Sequence, residues 1–159
     1  MKINIIIKEY NNIDELPAEE HHLVKAAKEA LEHAYSAYSG FSVGAAIKLD
    51  NNEIISGNNQ ENAAYPDGLC AERVAVFYAN SRYPDIPVTC MAIVAKTASG
   101  LTEEPVTPCG SCRQVLLETE KRFGKPIRII MAGRTKLLAV DSIKDLLPLS
   151  FDNSFLKKH

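Results

Sequence analysis

Three cysteines and one glutamate carry the chemistry that this sequence can do. The segments Cys70-Ala71-Glu72-Arg73 and Pro108-Cys109-Gly110-Ser111-Cys112 hold three of the chain's four cysteines. Thiolate sulfur is a soft ligand that suits zinc. Cys109 and Cys112 are three positions apart, which at a helix start puts both on one face. Cys70 must arrive from another element, because 38 residues separate it from Cys109. Three protein ligands leave the fourth position of zinc to water, as in a catalytic site, whereas a structural site closes with four. Glu72 stands two residues after Cys70, off that residue's helix face. It is placed to handle the proton of a bound water and not to ligate. Three thiolates overcompensate a Zn²⁺ charge and oppose ionisation of that water. Two helix starts, at Cys70 and Cys109, would offset this with free N–H groups and partial positive charge. Arg73, one turn beyond Cys70, would offset it further by donating to thiolate sulfur.

The elements that must position these residues read in order. Ile3, Ile5 and Ile7 alternate with Asn4, Ile6 and Lys8, as in a short strand or extended arm. Pro17, Glu19 and Glu20 suit the start of a helix. Leu23, Ala27, Ala30, Leu31 and Ala34 then form one apolar stripe that Gly40 closes. His21, His22 and His33 ride on that helix as solvated residues. Phe41–Leu49 and Glu53–Asn59 read as strands joined by the turn Asp50-Asn51-Asn52. Ser42, Gly44 and Ala46 leave one face of the first strand small, for a closely packed helix or for a ligand. Asn59 and Glu61 point the same way in extended chain. An amide beside a carboxylate can chelate a sugar hydroxyl, but on spacing alone a solvated polar loop is the favoured reading. A helix follows from Cys70, with Val74, Ala75, Phe77 and Tyr78 as its apolar face. Val88–Ala95 is an apolar run suited to a strand covered on both sides, with Cys90 buried inside it. A loop from Thr97 to Thr107, a helix from Cys109 to Gly124, strands Ile127–Met131 and Leu137–Val140, and a short helix Ile143–Leu147 complete the order. Strands alternating with helices predict an α/β fold with right-handed crossovers, a largely parallel portion of sheet and an antiparallel edge.

Cys-x-Glu followed by Pro-Cys-x-x-Cys is the zinc deaminase signature in its three-cysteine form. With Tyr38-Ser-Gly-Phe41-Ser-Val43-Gly44-Ala45-Ala46, Asn59-Gln-Glu61-Asn62-Ala63, Cys112-Arg113-Gln114 and Leu146-Leu147-Pro148, the chain resembles the small homo-oligomeric cytidine deaminases. The likeness runs from about Leu23 to about Phe155. It implies a three-layer cytidine deaminase-like fold, α/β, with a mixed five-stranded sheet flanked by helices, over residues 17–159, preceded by an N-terminal arm at 1–16. It implies one zinc per chain on Cys70, Cys109 and Cys112. The reaction it implies is hydrolytic deamination of cytidine and 2′-deoxycytidine, in pyrimidine salvage, with Glu72 moving protons between water, ring N3 and the leaving amine. Carried over by position, Phe41 lines the base pocket, Asn59 and Glu61 bind the ribose 3′-hydroxyl, the Ala71 N–H meets base O2, and the Thr107 carbonyl accepts from the 4-amino group. Tyr65 and Phe151 approach a neighbouring subunit's site, which implies a homotetramer with shared active sites. Asp67 adds a charge where relatives carry an apolar or neutral residue. Arg113 has no clear assignment.

Composition narrows the alternatives. A chain of 159 residues is one domain by length. A formal net charge of −2, from 18 basic and 20 acidic side chains, argues against a nucleic-acid partner. Apolar runs are too short to span a membrane, and Lys8 and Glu9 interrupt a faint signal-like start. The expected address is cytoplasmic, where reduced cysteine clusters read as metal or catalytic sites. Two rivals stay open: a deaminase of another cytosine-like substrate, such as a nucleoside antibiotic or a base within a polynucleotide, and a structural zinc or redox thiol protein. The second would need Cys90 as a fourth ligand, or would leave Cys70 and Glu72 unexplained.

Overall fold

Residues 1–156 are described in a computed structural model of the chain. Strands β1 (Lys8–Tyr10), β2 (Ser42–Leu49), β3 (Ile54–Asn58), β4 (Val88–Thr97), β5 (Gly100–Leu101), β6 (Arg128–Ala132) and β7 (Leu137–Val140) form one sheet. Its order is β1-β7-β6-β4-β2-β3, with β5 folded back on β4. The helices are α1 (Ala18–Leu31), α2 (Ala71–Arg82) and α3 (Gly110–Phe123). The result is the expected three layers. On one face, Leu23, Val24, Ala27 and Leu31 of α1 cover Ala46, Ala92, Val94, Ile130 and Ala139. On the other, α2 and α3 cover Ile47, Leu49, Met91, Ile93, Ile129 and Met131. Each fully buried side chain of that size contributes ~1.5–3 kcal/mol of hydrophobic stabilisation, so β4, covered on both faces, is the spine of the fold.

Small residues set how closely the layers approach. A Cβ on Gly44 of β2 would lie 2.1 Å from the carbonyl oxygen of Ala27 and 2.6 Å from the amide nitrogen of Leu31. The small face anticipated on β2 therefore accommodates a helix. Gly57 of β3 does the same for α2, where a Cβ would meet Ala71 O and Ala75 N at 2.8 Å. That contact seats the first turn of α2, with its cysteine and glutamate, directly on the sheet.

Several expectations give way. The five longer strands are the ones anticipated, but only β4 and β6 are parallel neighbours. β2 lies between β3 and β4, antiparallel to both, so the crossover through α2 joins strands of like direction that are not adjacent. The isoleucines of residues 3–7 form no strand; pairing begins at Lys8, where the chain meets the free edge of β7 in the register Lys8↔Ala139. A strand needs a partner as well as an alternating pattern, and β7 is only four residues long. Helix α1 stops at Leu31, well before Gly40, because Tyr35 takes up backbone bonds with Asn59 and Glu61 instead. The inner face of α2 is Ala71, Glu72, Ala75, Val76 and Ala79, while Phe77 and Tyr78 face outward. The close approach at Gly57 leaves no room there for aromatic rings. Cys90 is buried as expected, and burial pushes its thiol up to about 12. His21 turns its ring to the Leu16 carbonyl, His22 and His33 are exposed, and Asp67 is exposed.

Candidate active site

The fold brings Cys70, Cys109 and Cys112 together, with their sulfur atoms all within 4.8 Å of one another. Cys70 is the N-cap of α2 and Cys109 the N-cap of α3, so both stand where unpaired backbone N–H groups collect. Cys112 lies one turn into α3 and is fully buried. The Sγ separations are 3.7 Å for Cys70–Cys109 and 3.5 Å for Cys109–Cys112. Zinc–sulfur bonds of ~2.3 Å in a tetrahedron hold their sulfurs ~3.8 Å apart. The donor type and spacing thus fit zinc with little rearrangement. Three ligands are present among the described residues, and no fourth cysteine approaches, since Cys90 lies inside β4.

Electrostatics around the cluster favour thiolate at Cys70. Its thiol is pushed down to about 5, chiefly by the neighbouring Cys112 thiol against the opposing cost of burial, with Arg73 assisting. Cys112, beside Cys70 and buried, moves up. The Arg73 guanidinium donates through Nη2 to Cys70 Sγ at 3.7 Å, and its buried Nε has no partner. Glu72 is 5% exposed. Burial raises its carboxyl above the ordinary glutamate range, and the neighbouring Cys70 charge adds to this. A carboxyl held in this way exchanges protons nearer neutrality, as acid–base catalysis needs.

Above the cluster lies a cavity of about 500 Å³ whose walls include Phe41, Asn59, Glu61, Tyr65, Glu72 and Thr107. A smaller one of about 360 Å³, lined by Tyr38, Ser39, Glu61, Asn62, Tyr65 and Gly68, adjoins it. Residues 59–61 reach the wall between two short backbone pairings, Tyr35↔Gln60 and Gln60↔Leu69. Ala71 is buried behind the wall; as the first residue of α2 its N–H has no acceptor within the helix. Phe151 is not brought into the cavity of its own chain: it is 58% exposed and stacked on Phe155, with its carbonyl accepting from Gln114 Nε2.

Two features of the site lie outside the sequence reading. Asn59 and Glu61 both hold the chain around Phe41. Asn59 Oδ1 accepts from Val43 N at 2.7 Å, and its Nδ2 donates to Phe41 O at 3.0 Å. Glu61 accepts from Tyr38 N, Ser39 N and Ser39 Oγ. The signal for this was Ser39 two residues before Phe41, a serine-turn pattern: Phe41 N donates to Ser39 Oγ at 3.0 Å. Arg113, left unassigned, forks over the turn that leads into α3. It donates to Pro108 O and Leu146 O, both at 2.8 Å, and to Thr107 Oγ1 at 3.3 Å. Partners 33 positions apart are invisible to spacing arguments.

Residues 17–123 match the family model described as the cytidine and deoxycytidylate deaminase zinc-binding region. The chain belongs to the cytidine deaminase family. It is 46% identical to the cytidine deaminase of Halalkalibacterium halodurans over 96 residues, 60% of this chain and 68% of that protein. With the cytidine deaminase of Mycobacterium tuberculosis it shares 36% identity over 128 residues, 79% of this chain and 84% of the relative. The crystal structure of cytidine deaminase from Burkholderia pseudomallei superposes with a TM-score of 0.71 at 38% identity, covering 82% of this chain and 98% of that one. The protein is therefore an enzyme of a hydrolase family, carrying that family's zinc-binding region. Cys70, Cys109 and Cys112 are the residues that can hold the metal. The rival reading as a purely structural zinc or redox protein falls.

Proposed function

We propose that this enzyme hydrolyses cytidine and 2′-deoxycytidine to uridine and 2′-deoxyuridine, releasing ammonia, in a zinc-dependent reaction. The observation that carries the reading is one arrangement: three sulfurs spaced for zinc and a buried glutamate on the floor of a cavity walled by Phe41, Asn59 and Glu61. Zinc, held by the three thiolates, would supply a water acidic enough to react near neutral pH. Glu72 takes the first proton from the attacking water and delivers it to ring N3 as the oxygen adds to C4. It then carries the second proton to the amino group as the C4–N bond breaks, so water is consumed and ammonia leaves. The Thr107 carbonyl accepts from the 4-amino group, the Ala71 N–H donates to base O2, and Phe41 packs on the ring. Asn59 retains an N–H and a lone pair beyond its loop bonds, and Glu61 a lone pair, so both can still meet a 3′-hydroxyl. Arg73 holds charge density on Cys70 and keeps that ligand deprotonated.

The cavity suits a nucleoside better than a nucleotide. Arg73 is the one cationic side chain among its described lining residues, and it is turned to Cys70. A 5′-phosphate would find no free cationic side chain among these lining residues. We further propose a homotetramer with shared sites, acting in pyrimidine salvage in the cytoplasm. Exposed Tyr65, Phe77, Tyr78 and Phe151 offer aromatic surface for such an assembly. Free cysteines support a reducing compartment, and no helix among the described residues is long and apolar enough to cross a membrane.

The test is loss of the cytosine absorbance, with ammonia released, when zinc-loaded protein is mixed with cytidine. Glu72→Gln should lower kcat by at least ~10³. Ordinary turnover in that variant would remove Glu72 from the role given to it. An inactive wild type would send the search to other cytosine-like substrates.

A further inference from the structure

The Glu61 carboxylate stands on the cavity wall, partly exposed. An exposed carboxylate is ordinarily free to rotate, and a rotating one pays orientational entropy each time it accepts from a ligand. Here it is held. Tyr38 N donates to Oε2 at 2.8 Å, Ser39 N to the same atom at 3.2 Å, and the Ser39 hydroxyl to Oε1. Of the roughly four acceptor positions a carboxylate offers, three are taken, which leaves one for a ligand in the cavity that Glu61 lines.

Ser39 does more than fill a position. Its oxygen accepts from Phe41 N while its hydrogen goes to Glu61, so one hydroxyl joins the sugar-side wall to the base-side wall in the order Phe41 N–H, Ser39 O–H, Glu61. Asn59 closes the opposite side of the same loop through Phe41 O and Val43 N. The Ser39 hydroxyl is also the largest cause of the Glu61 carboxyl titrating below its ordinary range, which keeps it an ionised acceptor.

We propose that Ser39 is a positioning residue for sugar recognition. It fixes the Glu61 carboxylate so that a single acceptor site is left for the substrate's 3′-hydroxyl, and it ties that site to the backbone at Phe41. The proposal rests on the reading that the cavity takes a cytosine nucleoside with Glu61 at its 3′-hydroxyl.

Steady-state kinetics of the zinc-loaded enzyme on cytidine and on 2′,3′-dideoxycytidine test it. The second substrate lacks the 3′-hydroxyl, and 2′-deoxycytidine run beside it controls for the 2′-hydroxyl that it also lacks. Ser39→Ala should raise KM for cytidine about tenfold with kcat within about threefold, the size of one lost hydrogen-bond contribution expressed in binding. On the dideoxy substrate the same substitution should change kcat/KM by under about threefold, because the coupled group is absent. Ser39→Thr, which keeps the hydroxyl, should restore most of the cytidine KM. An equal loss on both substrates, or no loss on cytidine, would overturn the role of Ser39 while leaving the nucleoside reading intact. A wild type that fails to prefer cytidine over its dideoxy analogue would overturn the Glu61 contact itself, and the proposal with it.

Discussion

Gly44→Ala tests how the fold brings its layers together. The added methyl carbon would sit 2.1 Å from Ala27 O, 2.6 Å from Leu31 N and 2.7 Å from Leu31 Cβ, and two of these are backbone atoms of α1. No side-chain rotation relieves such a clash. To bring the oxygen contact out to 3.0 Å, the shortest a real Cβ makes, the helix must retreat by ~0.9 Å. A gap of that size forfeits a quarter to a half of the dispersion energy of each separated contact. The affected set includes Leu23, Val24, Ala27 and Leu31 against β2, β4 and β6. Overpacking costs typically 1–3 kcal/mol, and a backbone clash belongs at the upper end, about 3 kcal/mol. For a chain of this size that lowers Tm by about 6–12 °C. Urea unfolding of wild type and variant, with Gly110→Ala as a control at a glycine whose Cβ would meet nothing within 4 Å, measures it. A Gly44→Ala variant within ~0.5 kcal/mol of wild type would mean that α1 does not pack on β2 as described.

Three other predictions follow from the same structure. Arg113→Ala should cost about 2 kcal/mol and weaken zinc binding about tenfold or more, as loss of a support behind metal ligands does; Arg113→Lys should recover less than half, since one ammonium cannot span Pro108 O and Leu146 O as the guanidinium does, and full recovery by lysine would refute the fork. Glu120 is 4% exposed and accepts from Ile127 N and Ile143 N, both at 2.8 Å, and from Ser142 Oγ, so Glu120→Ala strands two buried amides and should destabilise by about 3 kcal/mol in denaturant titration. In metal-free protein, Glu72 has a folded-state pKa above its ordinary value of 4.5, so the folded state binds more protons than the unfolded chain in that window and loses stability as pH rises through it; Glu72→Gln, which mimics the protonated form, should match wild type near pH 4 and become the more stable of the two as pH rises, whereas a gap constant with pH would contradict the buried, raised carboxyl.

What was legible in the sequence was whatever a local pattern decides. Cys109 and Cys112 share a helix face because three residues make nearly a turn. The apolar run from Val88 to Ala95 predicted the doubly covered strand, and the 3.6-residue stripe gave the buried face of α1. The elements misread depended on partners far away in the chain. β1 forms where the edge of β7 is free and not where the isoleucines alternate. The sheet is mostly antiparallel because β2 inserts between β3 and β4. Phe77 and Tyr78 face outward because Gly57 draws α2 too close to the sheet for aromatic rings. The site divides in the same way. Metal ligands and Glu72 stand out by residue type, while Ser39 and Arg113 do their work through hydrogen bonds to residues whose proximity only the fold creates.

The most direct test of the central claim is zinc quantification on freshly purified, reduced protein, wild type beside Cys109→Ser and Glu72→Gln. About one zinc per chain is expected in wild type and in Glu72→Gln, and almost none in Cys109→Ser, because three thiolates are the ligands that the described residues offer. Zinc retained in full by Cys109→Ser, or lost from Glu72→Gln, would contradict the assignment of ligands and proton carrier on which the mechanism stands.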